Sequence, residues 1–151
     1  MLSPTIGVVE QAIWAIGNIA CDSPHHRDNI IKHNGINNIL TIIDLATSQL
    51  QTNKKMIDII KSAAWSLSNF CRVKPLPEYE IVEKALDKLV ELVKANVIDD
   101  KSTLLNILWA LSNYSTRAEG KKKNSKIQVI QKCIDRGIVP YVVEIIRIQD
   151  E

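Results

Sequence analysis

Apolar residues recur at helical spacing in three segments of the chain, and the apolar–polar alternation typical of strands is absent. The spacing predicts helices over residues 7–21, 54–71 and 102–115. Each helix has one apolar stripe, which we expect to be buried. The stripes comprise Val9, Ile13, Ile16 and Ala20, then Ile60, Ala64, Leu67 and Cys71, and finally Leu104, Leu108 and Leu111. The predicted fold class is therefore all-α.

These three helices share a motif in which Asn follows Trp after one helical turn. The pairs are Trp14 and Asn18, Trp65 and Asn69, and Trp109 and Asn113, so that the tryptophans are 51 and 44 residues apart. A second pattern follows each motif, with a small residue before apolar residues at fixed offsets. It starts at Gly35, Ala85 and Gly137. Two patterns that recur in register indicate a repeated structural unit.

The second pattern predicts short helices at 26–33, 79–84 and 126–135, each followed by a longer one at 36–47, 86–95 and 138–148. Gly35 and Gly137 are expected to form left-handed turns between them. Loops are predicted at 72–78, which contains two prolines, and at 116–125. The repeat length is typical of armadillo or HEAT solenoids, at roughly 40–47 residues per unit. We expect one partial solenoid of about three repeats over 1–151, with units at 1–21, 24–71, 78–115 and 126–151.

Each Trp and Asn lies nearly opposite the apolar stripe of its own helix. A single Trp in such a position often packs against a neighbouring helix, but three equivalent pairs favour an exposed ladder along a concave groove. Asn amides can bind the backbone of an extended peptide. Indole rings can hold the apolar stem of Lys or Arg between them and attract its cation. The predicted peptide-binding residues are Gln11, Trp14, Asn18, Asp22, Ser62, Trp65, Asn69, Asn106, Trp109 and Asn113.

Charge and cysteine content limit the ligands of this groove and the cellular compartment of the protein. Lys and Arg number 19 against 17 acidic residues, and a net charge of +2 gives no support for nucleic-acid binding. Three cysteines without CxxC spacing indicate reduced thiols in the cytoplasm or nucleus. No signal peptide or membrane span is predicted. We expect a soluble intracellular protein without cofactors.

The segments from Val9 to Ala20 and from Ala64 to Pro75 resemble the importin-α family, and the resemblance extends to the C-terminus. It implies a right-handed superhelical armadillo solenoid similar to the third, fourth and fifth repeats of that family. It also implies a nuclear-import adaptor that binds basic nuclear localisation signals. In that family's arrangement, Trp14, Asn18, Trp65 and Asn69 would line the major groove, Gln11 would contact the peptide backbone and Asp22 would bind the signal's key lysine.

The family resemblance also indicates what the chain would not do alone. The basic segment through which the family binds importin-β has no counterpart here, so we expect a fragment that could self-associate through its exposed solenoid ends. The triple-lysine loop at 121–123 is expected to be a solvated surface feature.

Other classes of function have less support in the sequence. No Gly-rich phosphate loop, nucleophile elbow or metalloprotease motif is present, which argues against an enzyme. Cys21, His25 and His26 could form a metal site, although neighbouring histidines at a helix start are usually polar surface. A helical-repeat RNA reader could stack bases on the ladder, but the cations needed at the phosphates are missing. An armadillo scaffold for another extended peptide stays open.

Overall fold

The computed structural model describes residues 5–95, 98, 100–116 and 131–147, which form helices and no strand. The helices are α1 (Ile6–Ala20), α2 (Pro24–Lys32), α3 (Gly35–Gln49), α4 (Met56–Asn69), α5 (Tyr79–Lys94), α6 (Lys101–Thr116) and α7 (Val139–Arg147). Residues 131–135 are also helical. The prediction of an all-helical fold is confirmed for the part of the chain that the structure describes.

The three Trp helices α1, α4 and α6 lie side by side, with α4 in the middle packed against both of the others. A second layer contains α3, which packs on α4, and α5, which packs on α6. The short helix α2 joins α1 to α3 and contacts both. Successive units therefore contact their neighbours in the chain, as in a solenoid.

Local signals explain where several helices begin. Ser23 precedes α2 and its hydroxyl accepts a hydrogen bond from the His26 backbone N–H at 3.3 Å, while Pro24 occupies the first helical position. Asp100 precedes α6, and its carboxylate accepts hydrogen bonds from the backbone N–H and the hydroxyl of Thr103 at 2.6 and 2.7 Å. Because a hydrogen bond from the Ser102 hydroxyl and these two from Thr103 stabilise the charged carboxylate, the pKa of Asp100 falls from 3.8 to about 2.

The predicted turn at Gly35 was placed one residue too late. Asn34 adopts the left-handed conformation, with φ 60°, and Gly35 is already the first residue of α3. Asn tolerates this conformation better than most residues do. Glycine is still required next to it, because a Cβ on Gly35 would lie 2.2 Å from Cγ2 of Ile30. At Gly137 the prediction is confirmed, since its φ is +72°.

Two predicted helices, 79–84 and 86–95, form the single helix α5 in the structure. Ala85 stands where the other units have glycine, it is fully buried, and alanine favours helix continuation over a break. Of the predicted helix at 126–135, residues 131–135 are described and helical; residues 117–130, with the predicted loop and its lysines, lie outside the described residues. Thr116 is the last residue of α6 instead of the start of that loop.

The core runs between the two helical layers and is built mainly from aliphatic side chains. The stripe predicted on α4 is confirmed, since Ile60, Ala64, Leu67 and Cys71 are all buried. On α6 the predicted stripe is only partly confirmed. Leu111 is buried, but Leu104 and Leu108 are half-buried, and the deepest side chains are Thr103, Ile107 and Ala110.

A buried arginine fixes the loop at 72–78. Arg27 of α2 is 1% exposed, and its Nη1 donates hydrogen bonds to the backbone carbonyls of Val73 and Pro75 at 3.0 and 2.6 Å. Its Nε and Nη2 contact the Asp28 carboxylate at 2.9 and 2.8 Å. A buried charge is tolerated when its donors are satisfied in this way. These hydrogen bonds thus hold the loop that follows α4 against α2.

Candidate functional site

The tryptophans of α1, α4 and α6 occupy equivalent positions on three adjacent helices. Trp14 is 50% exposed and Trp109 is 62% exposed, while Trp65 between them is half-buried. Apolar side chains exposed together on one surface mark a binding site more often than single exposed residues do. The surface of α1, α4 and α6 that contains the three tryptophans is called the Trp face below.

Trp14 and Trp65 are stacked on each other, with ring centroids 5.2 Å apart and ring planes at 22°. The close approach depends on Gly17 of α1, where a Cβ would lie 2.8 Å from the Trp65 ring and 3.0 Å from the Ser66 Cα. An aliphatic stem between two rings needs a carbon contact of about 3.5–4 Å on each side, hence a separation of about 7–8 Å. The predicted slot between these two rings is therefore closed in this structure.

The predicted ladder of exposed asparagines is only partly present. Asn18 is exposed and Asn113 is half-buried, but Asn69 is 1% exposed. The prediction of an exposed Asn69 is wrong because α4 has a Trp helix on both sides. A helical wheel drawn for one helix does not show which other helices pack on it. The Asn69 Oδ1 accepts a hydrogen bond from Arg72 at 3.4 Å, and its Nδ2 has no hydrogen-bond partner among the described residues.

Ser62 and Asn106, also predicted to contact a peptide, join neighbouring Trp helices. Ser62 is 7% exposed, and its hydroxyl donates to Oε1 of Glu10 on α1 at 3.4 Å. Asn106 is half-buried, and its amide donates to the backbone carbonyl of Lys61 on α4 at 3.5 Å. The exposure expected for Ser62 is therefore wrong, again because α4 is the middle helix. Gln11, at the equivalent position of α1, is exposed.

Asp22 lies just beyond α1 with 65% of its side chain exposed, and its Oδ2 is 2.7 Å from the Nδ1 of His26. A carboxylate so exposed remains accessible to a ligand, but His26 would compete with a ligand cation. Glu10 of α1 adds a second, half-buried carboxylate. The sequence reasoning missed Glu10, although its position one turn before Trp14 could have indicated it.

Cations lie further along the Trp face. Lys61 stands four residues before Trp65, as Glu10 stands four before Trp14, and Arg72 follows the end of α4. Charge on this face is therefore divided, with the carboxylates of Glu10 and Asp22 associated with α1 and the cations with α4. A cationic ligand would be attracted to the α1 side.

Other chemistry finds little support in the described residues. No group of three or more His, Cys, Asp or Glu side chains within them could hold a metal ion. Near the suggested metal site, the Cys21 thiol instead donates to the Asn18 carbonyl at 3.2 Å. None of the described helices has the length and apolarity to cross a membrane.

No family model matches the chain, but individual proteins do. Importin subunit alpha-1b of Oryza sativa subsp. japonica is 38% identical over 144 residues, which cover 95% of this chain and 23% of that protein. Importin subunit alpha-2 of Arabidopsis thaliana is 36% identical over 149 residues, 99% of this chain and 24% of that protein. A probable importin subunit alpha-A of Dictyostelium discoideum is 30% identical over 148 residues, 95% of this chain and 25% of that protein.

Over nearly its whole length the chain is similar to one part of the importin-α proteins, which supports an importin-α family relationship. Its helical layers are accordingly an armadillo solenoid, and the resemblance predicted from the Trp motifs is confirmed. The chain spans about a quarter of the length of the importin-α proteins that it matches. Its assignment to the third, fourth and fifth repeats, and the unit boundaries given above, stay predictions.

Proposed function

We propose that this chain is the cargo-binding part of a nuclear-import adaptor and that its Trp face binds the extended basic peptides of nuclear localisation signals. The observation that supports the proposal most is the row of three equivalent tryptophans, of which the outer two are 50% and 62% exposed. The family relationship supports the import role. The proposed role requires no catalysis and implies a location in cytoplasm and nucleus.

The groups around Trp14 fit a lysine-rich peptide. Gln11 and Asn18 are exposed beside it, and their amides can hold the peptide backbone. Asp22 and Glu10 supply the negative charge for an ammonium group. The same carboxylates oppose the phosphates of RNA, which disfavours a nucleic-acid ligand.

Peptide binding in this mode requires the stacked indoles to separate. Trp14 is the ring that would move, because it is half exposed while Trp65 is half-buried on α4, the middle helix. Loss of an aromatic pair costs about 0.5–1.5 kcal/mol. A lysine cation over an indole returns about 0.5–2 kcal/mol, so the opening is energetically accessible. Stacked indoles give an exciton couplet in circular dichroism, which binding would therefore abolish.

We expect importin-β to bind the import adaptor outside the Trp face. It is therefore a partner of the assembly rather than of the Trp face. An armadillo scaffold that holds another extended peptide would use the same face. The identity of the peptide decides between the two roles.

The test is fluorescence anisotropy with a labelled lysine-rich localisation peptide and with a copy whose lysines are alanine. Substitution of Trp14→Ala or Trp109→Ala should weaken binding at least about tenfold, since interface tryptophans commonly contribute most of the affinity. Leu45→Ala is the matched control, because Leu45 is a 56% exposed apolar residue on α3. The Leu45→Ala variant should bind the lysine-rich peptide with the same affinity as the unsubstituted chain.

Two further variants test the role of charge. Asp22→Asn should weaken binding of the lysine-rich peptide but should not change binding of the copy whose lysines are alanine. His26→Ala, which removes the neighbour of Asp22, should leave binding equal or tighter. Equal affinity for both peptides, or tighter binding of a single-stranded RNA, would refute the proposal. Binding of a non-basic extended peptide through the same tryptophans would favour the scaffold role instead.

A further inference from the structure

The histidines of the chain all lie in or beside α2. His25 and His26 stand in the first turn of this helix, and His33 follows its last residue. Histidine is the side chain whose ordinary pKa places its change of charge between pH 5 and 8. Because α2 begins just after the end of α1, it brings a charge that depends on pH to the α1 side of the Trp face.

His26 contacts Asp22 directly. The Nδ1 of His26 lies 2.7 Å from the Oδ2 of Asp22, and the two side chains are 54% and 65% exposed. The backbone supports this contact, because the His26 N–H donates to the Ser23 hydroxyl and Pro24 occupies the first helical position. The pair is therefore positioned by the start of α2 and is open to solvent and to a ligand.

The charge of His26 decides how much of the Asp22 charge a ligand meets. With its proton on Nδ1, a neutral ring donates one hydrogen bond to the carboxylate and leaves the negative charge uncancelled. A protonated ring is a cation in contact with that carboxylate, so the pair has no net charge. Two unit charges about 4 Å apart in water change an equilibrium constant about fivefold. A peptide ammonium should therefore bind Asp22 more weakly when His26 is protonated.

Other charged and titratable groups near His26 come from α2 itself and from the elements packed on it. The ring centroid of His25 lies 5.7 Å from that of His26. Arg27 is buried, and its guanidinium binds the Asp28 carboxylate and the carbonyls of the loop at 72–78. The remaining groups are Lys32 and His33 of α2 and its cap, Glu10 and Cys21 of α1 and its cap, Asp44 of α3, which binds Lys88, and Arg72, Lys74 and Glu78 of the loop. Asp22 is thus the carboxylate that His26 contacts, and His25 is the second titratable ring beside it.

We propose that His26 is a pH-sensitive competitor for Asp22, so that a lysine-rich peptide binds the Trp face more tightly when His26 is neutral. The inference rests on the proposed function, in which Asp22 binds a peptide ammonium. Coupling between two ligands is reciprocal, so a proton on His26 and a bound peptide weaken each other by the same factor. Peptide binding in the pH range where His26 titrates should therefore release protons.

The test is fluorescence anisotropy with the labelled lysine-rich peptide at about pH 5.5, 6.5 and 7.5, an interval in which histidine changes its charge and carboxyl and ammonium groups ordinarily do not. Ionic strength is held constant. The dissociation constant should fall roughly two- to fivefold from the lowest to the highest pH. The copy whose lysines are alanine should bind equally at all three. Calorimetry at the middle pH in two buffers of different ionisation enthalpy should show proton release.

Variants of the histidines identify the titrating group. His26→Gln keeps a hydrogen-bond donor but does not titrate, so it should bind the lysine-rich peptide equally at each pH. His26→Lys has a fixed cation and should bind weakly at each pH. His33→Gln is the matched control, because the His33 Nδ1 lies 2.8 Å from the Asn29 carbonyl at the other end of α2. It should retain the pH dependence, and so should His25→Gln.

Two results would overturn the role of His26. One is a pH dependence that persists in His26→Gln, and the other is a pH dependence that His25→Gln or His33→Gln removes. The His26 side chain is half exposed, so its variants should fold, which circular dichroism at each pH verifies. Lysine-dependent binding that does not change with pH would overturn this inference alone. A lysine-rich peptide that binds at no pH would overturn the proposed function together with it.

Discussion

Replacement of Gly17 by alanine tests the packing that brings the Trp helices together. The added Cβ would lie 2.8 Å from the Trp65 ring, 2.9 Å from the Ser66 Oγ and 3.0 Å from the Ser66 Cα. The ring could rotate away, but the Cα belongs to the backbone of α4, so α1 itself must shift. Overpacking of this kind costs about 1–3 kcal/mol.

Alanine also favours helix over glycine by about 1 kcal/mol, which offsets part of that cost. The net expectation for Gly17→Ala is a loss of about 1 kcal/mol in the free energy of unfolding. Gly7→Ala is the matched control on the same helix, because nothing lies within 4 Å of its added Cβ. It should stabilise the chain by up to about 1 kcal/mol.

Urea unfolding of the two variants gives their difference in free energy, about 1–3 kcal/mol, which measures the steric effect alone. Hydrogen exchange should locate the Gly17→Ala effect in α1, since one part of a solenoid can open separately from the rest. The exciton couplet of Trp14 and Trp65 should weaken as well. Equal stabilisation by both substitutions would refute the close approach of α1 to α4.

Three further substitutions test other parts of the structure. Arg27→Lys should lower the unfolding free energy by about 3 kcal/mol in urea titrations, because Lys cannot satisfy the buried loop carbonyls such as that of Val73. Tyr114→Phe should cost about 1 kcal/mol by the same measurement, since one hydrogen bond to Leu67 is lost. The Asp100 carboxyl should titrate with a pKa of about 2 by NMR. Because its pKa is lower in the folded chain than in the unfolded chain, Asp100 stabilises the fold fully above about pH 4, and this stabilisation is lost as the pH falls toward 2. The Asp100→Ala variant should not show this loss.

The sequence alone determined the elements that depend on local spacing. The Trp helices, the loop with its prolines and the left-handed Gly137 were all predictable, because helical periodicity and turn chemistry are properties of a few neighbouring residues. Repetition added what one helix could not, since three equivalent Trp and Asn pairs pointed to a solenoid and to the importin-α family. The merger of two predicted helices into α5 followed from a local preference, because Ala85 stands where the other units have glycine and alanine favours continuation of the helix.

Only the tertiary structure decided which of the repeated residues remain exposed. Asn18 and Asn69 have the same place in the motif, yet Asn69 is buried because α4 has neighbours on both sides. The stacking of Trp14 on Trp65 likewise depends on Gly17 of α1, because a side chain at that position would collide with the Trp65 ring of α4. Exposure is a property of what packs on a surface, and those partners lie far away in the sequence, so the periodicity of a single helix cannot supply it.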